Sequence, residues 1–518
     1  MYVIAYDIGT TGIKSCLFEI KKGCPIEMIA GGMADYDLYI LPDGGAEQNP
    51  MQWWNAMCET TPKLLEAARV NKEEISGISF CAQMQALVLV DREGNPVRNA
   101  MSYMDSRSSE QMRKGIQTGP KIAGMNAYKL LQSLRISGAV SGSVKDPVWK
   151  YRWVADNEPE VFAKAYKWLD VKDFLVCRAT GEFTMSHDSA FGTLLYDTRI
   201  GKRCFSKKLC AMMDVNMEHL PEVVLSTDVV GGITNRAASE LGLSPGTPVF
   251  SGGGDASLIG VGAGAVNPGE THMYMGTSGW VSTVIEKQKL DVGSMIASIA
   301  GAELETFNCF AELETAGKCV EWARKQLMSS MDGVDSSYDE LAQKAAEVPA
   351  GSRGVIFTPW LHGNRNPFED PNARGVFFGI GIETSAIEMY RAVIEGVCFH
   401  LRWQMEAMSK LIEPSDTIRF AGGGAIQDIN CQILADITGK RIEVTSSPQN
   451  AGSMGAAAIM AMGLGEIEAI GEVKEMIPVD RVFEPDIANA SIYDSIFILF
   501  KNLYYKNKEN FRKRGELI

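Results

Sequence analysis

Two short apolar runs at the start of the chain are separated by a turn of glycine and threonine. Residues 3–6 are apolar, the turn Gly-Thr-Thr-Gly spans residues 9–12, and residues 13–20 again carry side chains that favour β-structure. Apolar runs bounded by turn residues are typical of a β-hairpin. The pattern predicts a strand, a tight turn and a second strand.

The same arrangement recurs near the middle of the chain. Residues 273–275 are apolar, the turn Gly-Thr-Ser-Gly spans residues 276–279, and residues 280–284 are again apolar or β-branched. A pattern repeated at about half the chain length indicates an internal duplication. The two hairpins therefore predict two related domains.

The segment between the hairpins predicts α/β structure. Asn49 followed by Pro50 has the N-cap and first-turn chemistry of a helix start. Residues 75–80 and 87–90 have the composition of strands. The segment 241–249 is rich in proline and glycine, which makes it the candidate domain boundary.

The second half of the chain carries clear start and stop signals. Ser385 and Glu388 have the spacing of a capping box that opens a long amphipathic helix. Residues 417–420 predict a strand that leads into three glycines at 422–424. The helix that follows is predicted to end at Gly439.

The composition narrows the class of protein. The 518 residues are 46% hydrophobic and 22% charged, which is typical of a globular chain and excludes a disordered or collagen-like protein. A chain of this length predicts about two to four domains. The net charge of −14 at pH 7 argues against a general nucleic-acid binder, because such proteins are usually basic.

Neither a membrane segment nor a metal–thiolate cage is indicated. No uninterrupted apolar stretch reaches the roughly 18–20 residues of a membrane-spanning helix, and the N-terminal residues lack the basic start of a secretory signal. The 11 cysteines form no C-x-x-C pair and the 5 histidines are scattered, so we expect reduced thiols rather than zinc sites or disulfides. These features predict a cytoplasmic protein without a membrane partner.

Three glycine-rich clusters each follow a predicted strand: residues 7–14 (DIGTTGIK), 276–279 (GTSG) and 422–425 (GGGA). Glycine lets the backbone approach a ligand closely, and turn N–H groups with threonine or serine hydroxyls can bind phosphate oxygens. An acid just before such a turn suits Mg²⁺. A tight turn alone would explain one cluster, but three clusters after strands favour a nucleotide site. Neither G-x-x-x-x-G-K-[ST] nor a strand-linked G-x-G-x-x-G occurs, so the site is not of the P-loop or Rossmann type.

The three clusters resemble the phosphate-1, phosphate-2 and adenosine motifs of the FGGY carbohydrate kinases, which belong to the actin/hexokinase/Hsp70 superfamily. Other segments similar to that family are residues 82–84, 104–107, 251–255, 375–380 and 388–395. The resemblance runs from residue 2 to residue 465, and the chain looks most like the xylulokinase members of the family.

The resemblance implies an α/β fold of two actin/hexokinase/Hsp70-like (ribonuclease H-like) domains around an interdomain cleft. It implies an FGGY N-terminal domain at residues 1–247, with the sugar side and the phosphate-1 motif, and an FGGY C-terminal domain at residues 248–465. Residues 466–518 would form a helical extension packed on the C-terminal domain.

The implied activity is the ATP-dependent phosphorylation of a sugar or polyol hydroxyl with Mg²⁺ as cofactor. Asp255 matches the catalytic base of the family, which accepts the proton of the attacking hydroxyl while the γ-phosphoryl group is transferred in line. From its position alone, Asp255 would also suit the start of a helix that continues from Ala256. One residue can hold both roles.

On the nucleotide side, the resemblance implies that the Asp7 carboxylate is a ligand of Mg²⁺. Hydroxyls and a cation suit the charge that develops on transferring phosphate oxygens. Taken alone, Lys14 could be a solvated strand lysine, and Gly317 could serve close helix packing. The positions matched to the phosphates or the nucleoside are Thr10, Thr11, Lys14, Thr277, Gly317, Gly424 and Asp428.

On the sugar side, the resemblance implies that Met84, Gln85, Asp105 and Asp255 line the substrate pocket. Amides and carboxylates can donate to and accept from vicinal hydroxyls, and a site built in this way discriminates strongly. Read without the resemblance, Met84 could be a core residue and Asp105 could pair with Arg107.

Two positions depart from the xylulokinase pattern, which usually has His where Gln85 stands and Asn where Ala256 stands. A ketopentose such as xylulose is the first expectation for the substrate. Another pentulose, a tetritol or another polyol is the alternative.

Two alternatives lie outside the carbohydrate kinases. A non-catalytic actin-like module that binds ATP or sugar would be expected to lack Asp255, Asp105 or Gln85, and this chain has all three. An Hsp70-like chaperone would need a peptide-binding domain, for which residues 466–518 are too few. We expect no nucleic-acid partner, and a homodimer is the candidate assembly.

Overall fold

The computed structural model of the protein describes residues 1–291, 293–328 and 336–517. The chain divides into two compact units. The first unit contains Met1–Gly262, Ser298–Phe307 and Gly452–Ile477, and the second contains Ala263–Ala297, Asn308–Ala451 and Pro478–Ile518. The domain boundaries expected after residues 247 and 465 stay predictions.

The first unit contains a mixed sheet of 7 strands. They are β1 (Tyr2–Ile8), β2 (Gly12–Glu19), β3 (Glu27–Asp35), β4 (Ile75–Ala82), β5 (Val229–Gly232), β6 (Pro248–Phe250) and β7 (Gly253–Gly254). Their order is β5-β6-β4-β1-β2-β3, and β7 is also paired with β4. β1 is antiparallel to β2 and parallel to β4. Both β6 and β7 are parallel to β4, and β5 is antiparallel to β6.

A sheet of 8 strands lies mainly in the second unit. They are β8 (Thr271–Met275), β9 (Gly279–Ile285), β10 (Leu290–Asp291), β11 (Ile296–Ala300), β12 (Phe307–Leu313), β13 (Thr417–Ala421), β14 (Arg441–Thr445) and β15 (Val479–Phe483). Their order is β10-β11-β12-β9-β8-β13-β14-β15. β8 is antiparallel to β9 and parallel to β13, which is parallel to β14, and β15 is antiparallel to β14.

The two sheets share a pairing pattern. In each, a glycine-turn hairpin is followed across the sheet by two strands parallel to its first strand and then by one antiparallel strand. Both predicted hairpins are therefore confirmed, and so is the expectation of an α/β protein with two similarly built domains.

Helices accompany both sheets. The longest helices, together with those that carry or adjoin residues of the candidate site, are α1 (Pro50–Ala68), α2 (Pro147–Asn157), α3 (Val171–Thr180), α4 (His187–Gly192), α5 (Asp255–Gly262), α6 (Gly317–Ala323), α7 (Ala386–Met408), α8 (Asp428–Thr438), α9 (Ala451–Gly463) and α10 (Ile487–Leu517). No described helix is long and apolar enough to cross a membrane.

The predicted helix termini are confirmed. The Asn49 side chain accepts a hydrogen bond from the Met51 N–H at 3.0 Å at the start of α1. Ser385 and Glu388 form the capping box of α7. Gly439 ends α8 with a φ of 65°, a left-handed conformation that suits glycine.

The remaining elements are short. Other α-helices span Ser109–Ile116, Ala127–Ile136, Pro159–Phe162, Lys207–Met213, Asn235–Leu241, Tyr338–Glu347 and Val473–Met476. Other strands span Tyr39–Ile40, Ala46–Gln48, Val88–Val90, Ala100–Met101, Lys121–Ile122, Met125–Asn126, Lys167–Leu169, Thr184–Ser186, Tyr196–Asp197, Cys204–Phe205, Glu222–Val224, Ile356–Phe357 and Phe377–Phe378.

Candidate active site

The carboxyl ends of parallel strands bring two candidate acids to one edge of the first sheet. β1 and β7 flank β4, and both Asp7 and Gly253 are register partners of Cys81. β7 ends at Gly254, so Asp255 leaves the sheet at the edge where Asp7 stands. Burial raises the pKa of the Cys81 thiol well above its ordinary value, and the charges of Asp7 and Asp255 raise it further. The two acids therefore lie on either side of the end of β4.

Asp7 faces Lys14 across the first hairpin. The two are register partners in β1 and β2, and Lys14 Nζ lies 3.7 Å from Asp7 Oδ2. Burial raises the pKa of Asp7, while Lys14 and the Cys81 thiol oppose that shift. The Lys14 side chain is 28% exposed, so it is not a fully solvated strand lysine. The pair places one anion and one cation beside the first glycine turn.

Helix α9 approaches Asp7 at a glycine. A Cβ at Gly452 would lie 2.7 Å from Asp7 Oδ2, a separation that real Cβ atoms do not adopt. Glycine at the second position of this helix therefore leaves the Asp7 carboxylate where it is.

The first turn is held by side chains that are distant in sequence. The Tyr36 hydroxyl lies 2.6 Å from the Gly9 carbonyl oxygen and 2.9 Å from the Gly12 carbonyl oxygen. The Thr10 hydroxyl shares a hydrogen bond of 3.2 Å with the Tyr103 hydroxyl. Thr11 is exposed at the tip of the turn. The turn is thus fixed in position while one of its hydroxyl-bearing residues remains accessible.

Two buried glutamines link this turn to the end of β4. Gln48 Nε2 donates to the Thr10 carbonyl oxygen at 2.7 Å, and Gln83 Nε2 donates to Gln48 Oε1 at 2.9 Å. The Gln83 N–H donates to the Ile8 carbonyl oxygen at 2.9 Å. The phosphate-1 turn and the segment before Met84 are therefore coupled through hydrogen bonds.

Asp255 begins helix α5. Its Oδ1 accepts a hydrogen bond from the Ala256 N–H at 2.8 Å, and the residue is half-buried. The expectation that Asp255 starts a helix is confirmed. Its role as catalytic base stays a prediction, with which this position at the end of β7 is compatible.

The buried carboxylate of Asp188 accepts hydrogen bonds from residues on both sides of Asp255 in the chain. Its Oδ2 accepts a hydrogen bond from the Gly254 N–H at 2.7 Å and another from the Ser257 hydroxyl. Its Oδ1 accepts from the Ser186 hydroxyl. Burial alone would raise the pKa of Asp188, but Lys172, His187 and the two serine hydroxyls together lower it. Asp188 is therefore a fixed anion that anchors the segment carrying Asp255.

Met84 packs against the backbone just before Asp255. A Cβ at Gly254 would lie 2.2 Å from Met84 Sδ, so the absence of a side chain there makes room for Met84. A Cβ at Gly192 would lie 3.6 Å from Met84 Cε and 3.7 Å from Gln85 Cγ. The structure thus brings Met84 and Gln85 close to the candidate base, and both side chains are half-buried rather than in the core.

Asp105 is fully buried and paired with Arg107. Arg107 Nη2 lies 2.7 Å from Asp105 Oδ2, which also accepts the Ala46 N–H at 2.9 Å. Arg107 binds Glu47 as well, at 2.6 Å. The pairing that the sequence allowed is confirmed, and the direct contact of Asp105 with sugar stays a prediction.

In the second unit, Thr277 and Gly317 lie together. Thr277 is exposed in the turn between β8 and β9, and its carbonyl oxygen accepts the Ala316 N–H at 3.0 Å. The Gly317 N–H donates to the Gly276 carbonyl oxygen at 2.8 Å, and a Cβ at Gly317 would lie 2.4 Å from that oxygen. The close packing considered for Gly317 is confirmed, and it brings the start of α6 against the turn at residues 276–279.

Gly424 and Asp428 flank the same end of the second sheet. A Cβ at Gly424 would lie 2.4 Å from the sulfur of Met275, the last residue of β8. Asp428 begins α8 and forms an ion pair with Arg481, whose Nη2 donates to the Ala425 carbonyl oxygen at 2.9 Å. The turn 276–279 and the glycines at 422–424 are therefore neighbours.

Several residues that shape this site lack a local sequence motif. Lys150 and Asp170 are buried charged residues that contact the backbone of Gln85, and the buried amide of Gln48 contacts that of Thr10. The buried Asp188 contacts Gly254, the residue before Asp255. Their signal in the sequence is a polar residue within an otherwise apolar segment, which does not reveal its partner. Among the described residues, no group of three or more His, Cys, Asp or Glu side chains could hold a metal by itself.

Two α/β sheets that share a pairing pattern, each with a glycine turn in its first hairpin, fit the carbohydrate kinases that the sequence motifs resemble. Comparison of the sequence with known protein families gives the same class. Residues 2–262 match the N-terminal domain of the FGGY family of carbohydrate kinases, and residues 272–464 match its C-terminal domain. The chain belongs to the FGGY family of carbohydrate kinases, and it is an ATP-dependent sugar kinase.

Named relatives cover nearly the whole chain. It is 29% identical to the xylulose kinase of Bacillus subtilis over 98% of this chain and 97% of that protein. It is 27% identical to the gluconokinase of Bacillus licheniformis over 97% of this chain and 95% of that protein. The crystal structure of ligand-bound xylulose kinase from Lactobacillus acidophilus matches with a TM-score of 0.84 and 25% identity, covering 99% of each chain.

Proposed function

We propose that the protein transfers the γ-phosphoryl group of ATP to a hydroxyl of a small ketose, a ketopentose such as xylulose, with Asp255 as general base. The observation that supports this most is the position of Asp255. It leaves β7 on the same sheet edge as Asp7, and Met84 packs on the residue before it. A carboxylate there would accept the proton of the sugar hydroxyl as the phosphoryl group is transferred.

The phosphate and nucleoside roles follow the two glycine turns. In the first unit, Thr10, Thr11 and Lys14 would contact phosphate oxygens, because hydroxyls and a cation meet there at the end of β1. In the second unit, Thr277 would contact phosphates, and Gly317, Gly424 and Asp428 would lie against the nucleoside. These assignments rest on the family motifs and on the grouping of each set within its own unit.

Mg²⁺ would be held at Asp7. The donor set fits this ion, because Mg²⁺ is usually bound by one or two carboxylates together with substrate phosphates and water rather than by an all-protein cage. Asp7 supplies a carboxylate beside Lys14, and the described residues offer no three-ligand cage. The ion would neutralise charge on the phosphate oxygens.

The sugar wall would consist of Met84, Gln85, Asp105 and Asp255. Met84 fills the space beside Gly254, and the Met84 and Gln85 side chains both lie next to Gly192. The Asp105 carboxylate is occupied by Arg107, so its contribution would be to shape the wall as well as to accept a hydroxyl.

The substrate has a second candidate class. The identity to a gluconokinase is nearly that to a xylulose kinase, which favours a sugar acid such as gluconate as the second candidate. Another pentulose, a tetritol or another polyol stays the broader alternative, because Gln85 and Ala256 depart from the xylulokinase pattern. A cytoplasmic location, a homodimer and the lack of a nucleic-acid partner stay predictions.

A substrate screen tests this proposal. Sugar-dependent ADP release would be measured across ketopentoses, hexuloses, aldonates, tetritols and pentitols, and the product would be identified by ³¹P NMR. We expect a ketopentose to give the highest kcat/KM. A higher value for gluconate would establish the second candidate, and ADP release that no compound of the panel stimulates would contradict the proposed function.

A further inference from the structure

Gln85 has a strained backbone at the centre of the proposed sugar wall. Its φ is 63°, in the left-handed region where non-glycine residues are uncommon. A residue held there is disfavoured relative to ordinary conformations and persists only where its surroundings determine it. The side chain of Gln85 therefore points in a direction that the local sequence alone would not select.

Two buried charged side chains hold this peptide on both of its polar sides. Lys150 Nζ donates to the Gln85 carbonyl oxygen at 2.8 Å. The Asp170 Oδ2 accepts the Gln85 N–H at 2.9 Å, and its Oδ1 accepts the Ala86 N–H at 3.0 Å. Lys150 lies in α2 and Asp170 caps the start of α3, so two separate helices converge on Gln85.

Burial of the Lys150 and Asp170 side chains is unfavourable in free energy unless both groups have partners. Lys150 is 0% exposed and Asp170 is 4% exposed. Burial lowers the pKa of Lys150 to about 7 against the attraction of Asp105, Asp146 and Asp170. Burial likewise raises the pKa of Asp170 to about 7, opposed by backbone N–H groups that include that of Gln85. Lysine and aspartate side chains are rarely buried to this extent unless they have partners, and the partners here include both polar groups of the Gln85 backbone.

Lys150 is also subject to the charge of a second residue of the proposed sugar wall. The largest charge acting on it is that of Asp105, another residue expected on the sugar side. The Met84 Cε and Gln85 Cγ atoms lie 3.6 and 3.7 Å from the position that a Cβ at Gly192 would take. Because the clamp fixes the backbone of residue 85, it fixes the point from which the Gln85 side chain extends past Gly192.

We propose that Lys150 and Asp170 are positioning residues that set the direction of the Gln85 amide and thereby the hydroxyl pattern of the sugar that the kinase accepts. This inference rests on the proposed function. An amide held in one direction presents its NH2 donor group and its carbonyl acceptor at fixed places. It therefore favours a substrate with two neighbouring hydroxyls in one relative configuration.

The test combines single and double substitutions with steady-state kinetics on the best substrate of the screen. Lys150→Met and Asp170→Asn are each expected to raise the sugar KM by about tenfold and to change kcat and the ATP KM by less than about threefold. Both should also narrow the difference in kcat/KM between C3 or C4 epimers. Lys129→Met is the matched control, because Lys129 likewise donates to a backbone carbonyl, that of Met212 at 2.5 Å.

The Gln85→Gly background separates positioning from a general structural role. Glycine adopts a φ near 60° without strain and has no side chain to direct. In that background, Lys150→Met and Asp170→Asn should change the sugar KM by less than about twofold, because residues that act through one another are not additive. An equal rise of KM in both backgrounds, or no rise in either, would overturn the inference.

A measurement without catalysis keeps the two proposals distinguishable. Hydrogen exchange of the Gln85 and Ala86 amides should accelerate at least about tenfold in Asp170→Asn, because both amides lose a carboxylate acceptor. Unchanged exchange would overturn the clamp even in an active kinase. Faster exchange in a protein that phosphorylates no sugar of the panel would support the clamp and contradict the proposed function.

Discussion

The Asp188 carboxylate accepts a hydrogen bond from the Gly254 N–H at 2.7 Å, one residue before Asp255. The same oxygen accepts the Ser257 hydroxyl, two residues after Asp255. The candidate base is thus held between two anchor points on one buried anion. An isolated strand end would leave its side chain with more freedom, and proton transfer depends on its placement.

The first prediction concerns that anchor. Asp188→Asn keeps the shape of the side chain but turns one acceptor into a donor that faces other donors. We expect kcat to fall by about tenfold to a hundredfold, with the sugar KM changed by less than about threefold, because the base is displaced while the binding wall remains. Asp197→Asn, which removes a carboxylate bound to Arg199 in the same unit, is the control. Equal kcat losses in the two variants would contradict a specific role for Asp188.

A second prediction concerns the pH dependence of stability. The pKa of Asp188 is held below its ordinary value of 3.8, so its contribution to folding is present above that pH and is lost as the pH falls through the folded-state pKa. At neutral pH, Asp188→Asn should lower the free energy of unfolding by about 1–3 kcal/mol, because buried donors lose their acceptor. Urea titrations should show this difference narrowing toward about pH 3. A difference that stays constant with pH would exclude the ionised form as the stabilising one.

A third prediction uses Gly452. Gly452→Ala would push against the Asp7 carboxylate, whose Oδ2 lies 2.7 Å from the position of the new Cβ. We expect kcat to fall by about tenfold or more, because a small displacement of a group at the reaction centre is enough. The melting temperature should fall, because the Asp7 carboxyl atoms at 2.7–3.0 Å must move to admit the new Cβ, so kcat is measured well below the unfolding transition.

The control for this substitution is Gly31→Ala. Its Cβ would have ordinary contacts of 3.9 Å with the Met28 side chain in β3, so activity should be retained. A Gly452→Ala variant as active as Gly31→Ala would show that the position of Asp7 does not matter for turnover.

A fourth prediction concerns Lys14. Lys14→Met removes the cation beside Asp7, and kcat/KM for ATP should fall by about a hundredfold while the sugar KM stays within about threefold. Lys21→Met is the control, because Lys21 follows the same strand, is exposed and pairs with Glu19 at 2.8 Å. A rise in the sugar KM with no change in kcat/KM for ATP would contradict the assignment of Lys14 to the phosphates.

The sequence predicts the parts of this protein that depend on local chemistry. The two hairpins follow from Gly-Thr turns between apolar runs, and the capping box of α7 and the glycine end of α8 each depend on residues within one or two turns. The Asp105–Arg107 pair can also be predicted from the sequence, since only Ser106 separates its members. The sequence also predicts that Asp255 starts a helix, and the family motif includes the same residue.

The remaining features depend on contacts over long stretches of chain. Lys150 and Asp170 meet Gln85 across separations of 65 and 85 residues. Asp188 meets Gly254 across 66 residues, and Gly452 meets Asp7 from the opposite end of the chain. No local propensity specifies such partners, because they are set by the order of the strands and by the helices packed on them.

The most direct test of the central claim is the turnover of Asp255→Asn. Sugar-dependent ADP release would be measured together with calorimetric affinities for ATP and for the sugar. We expect kcat to fall by about 10²–10⁴-fold, the usual contribution of a general base, while both affinities stay within about threefold. Retention of kcat within about tenfold of the wild type, with both ligands bound, would contradict Asp255 as the base.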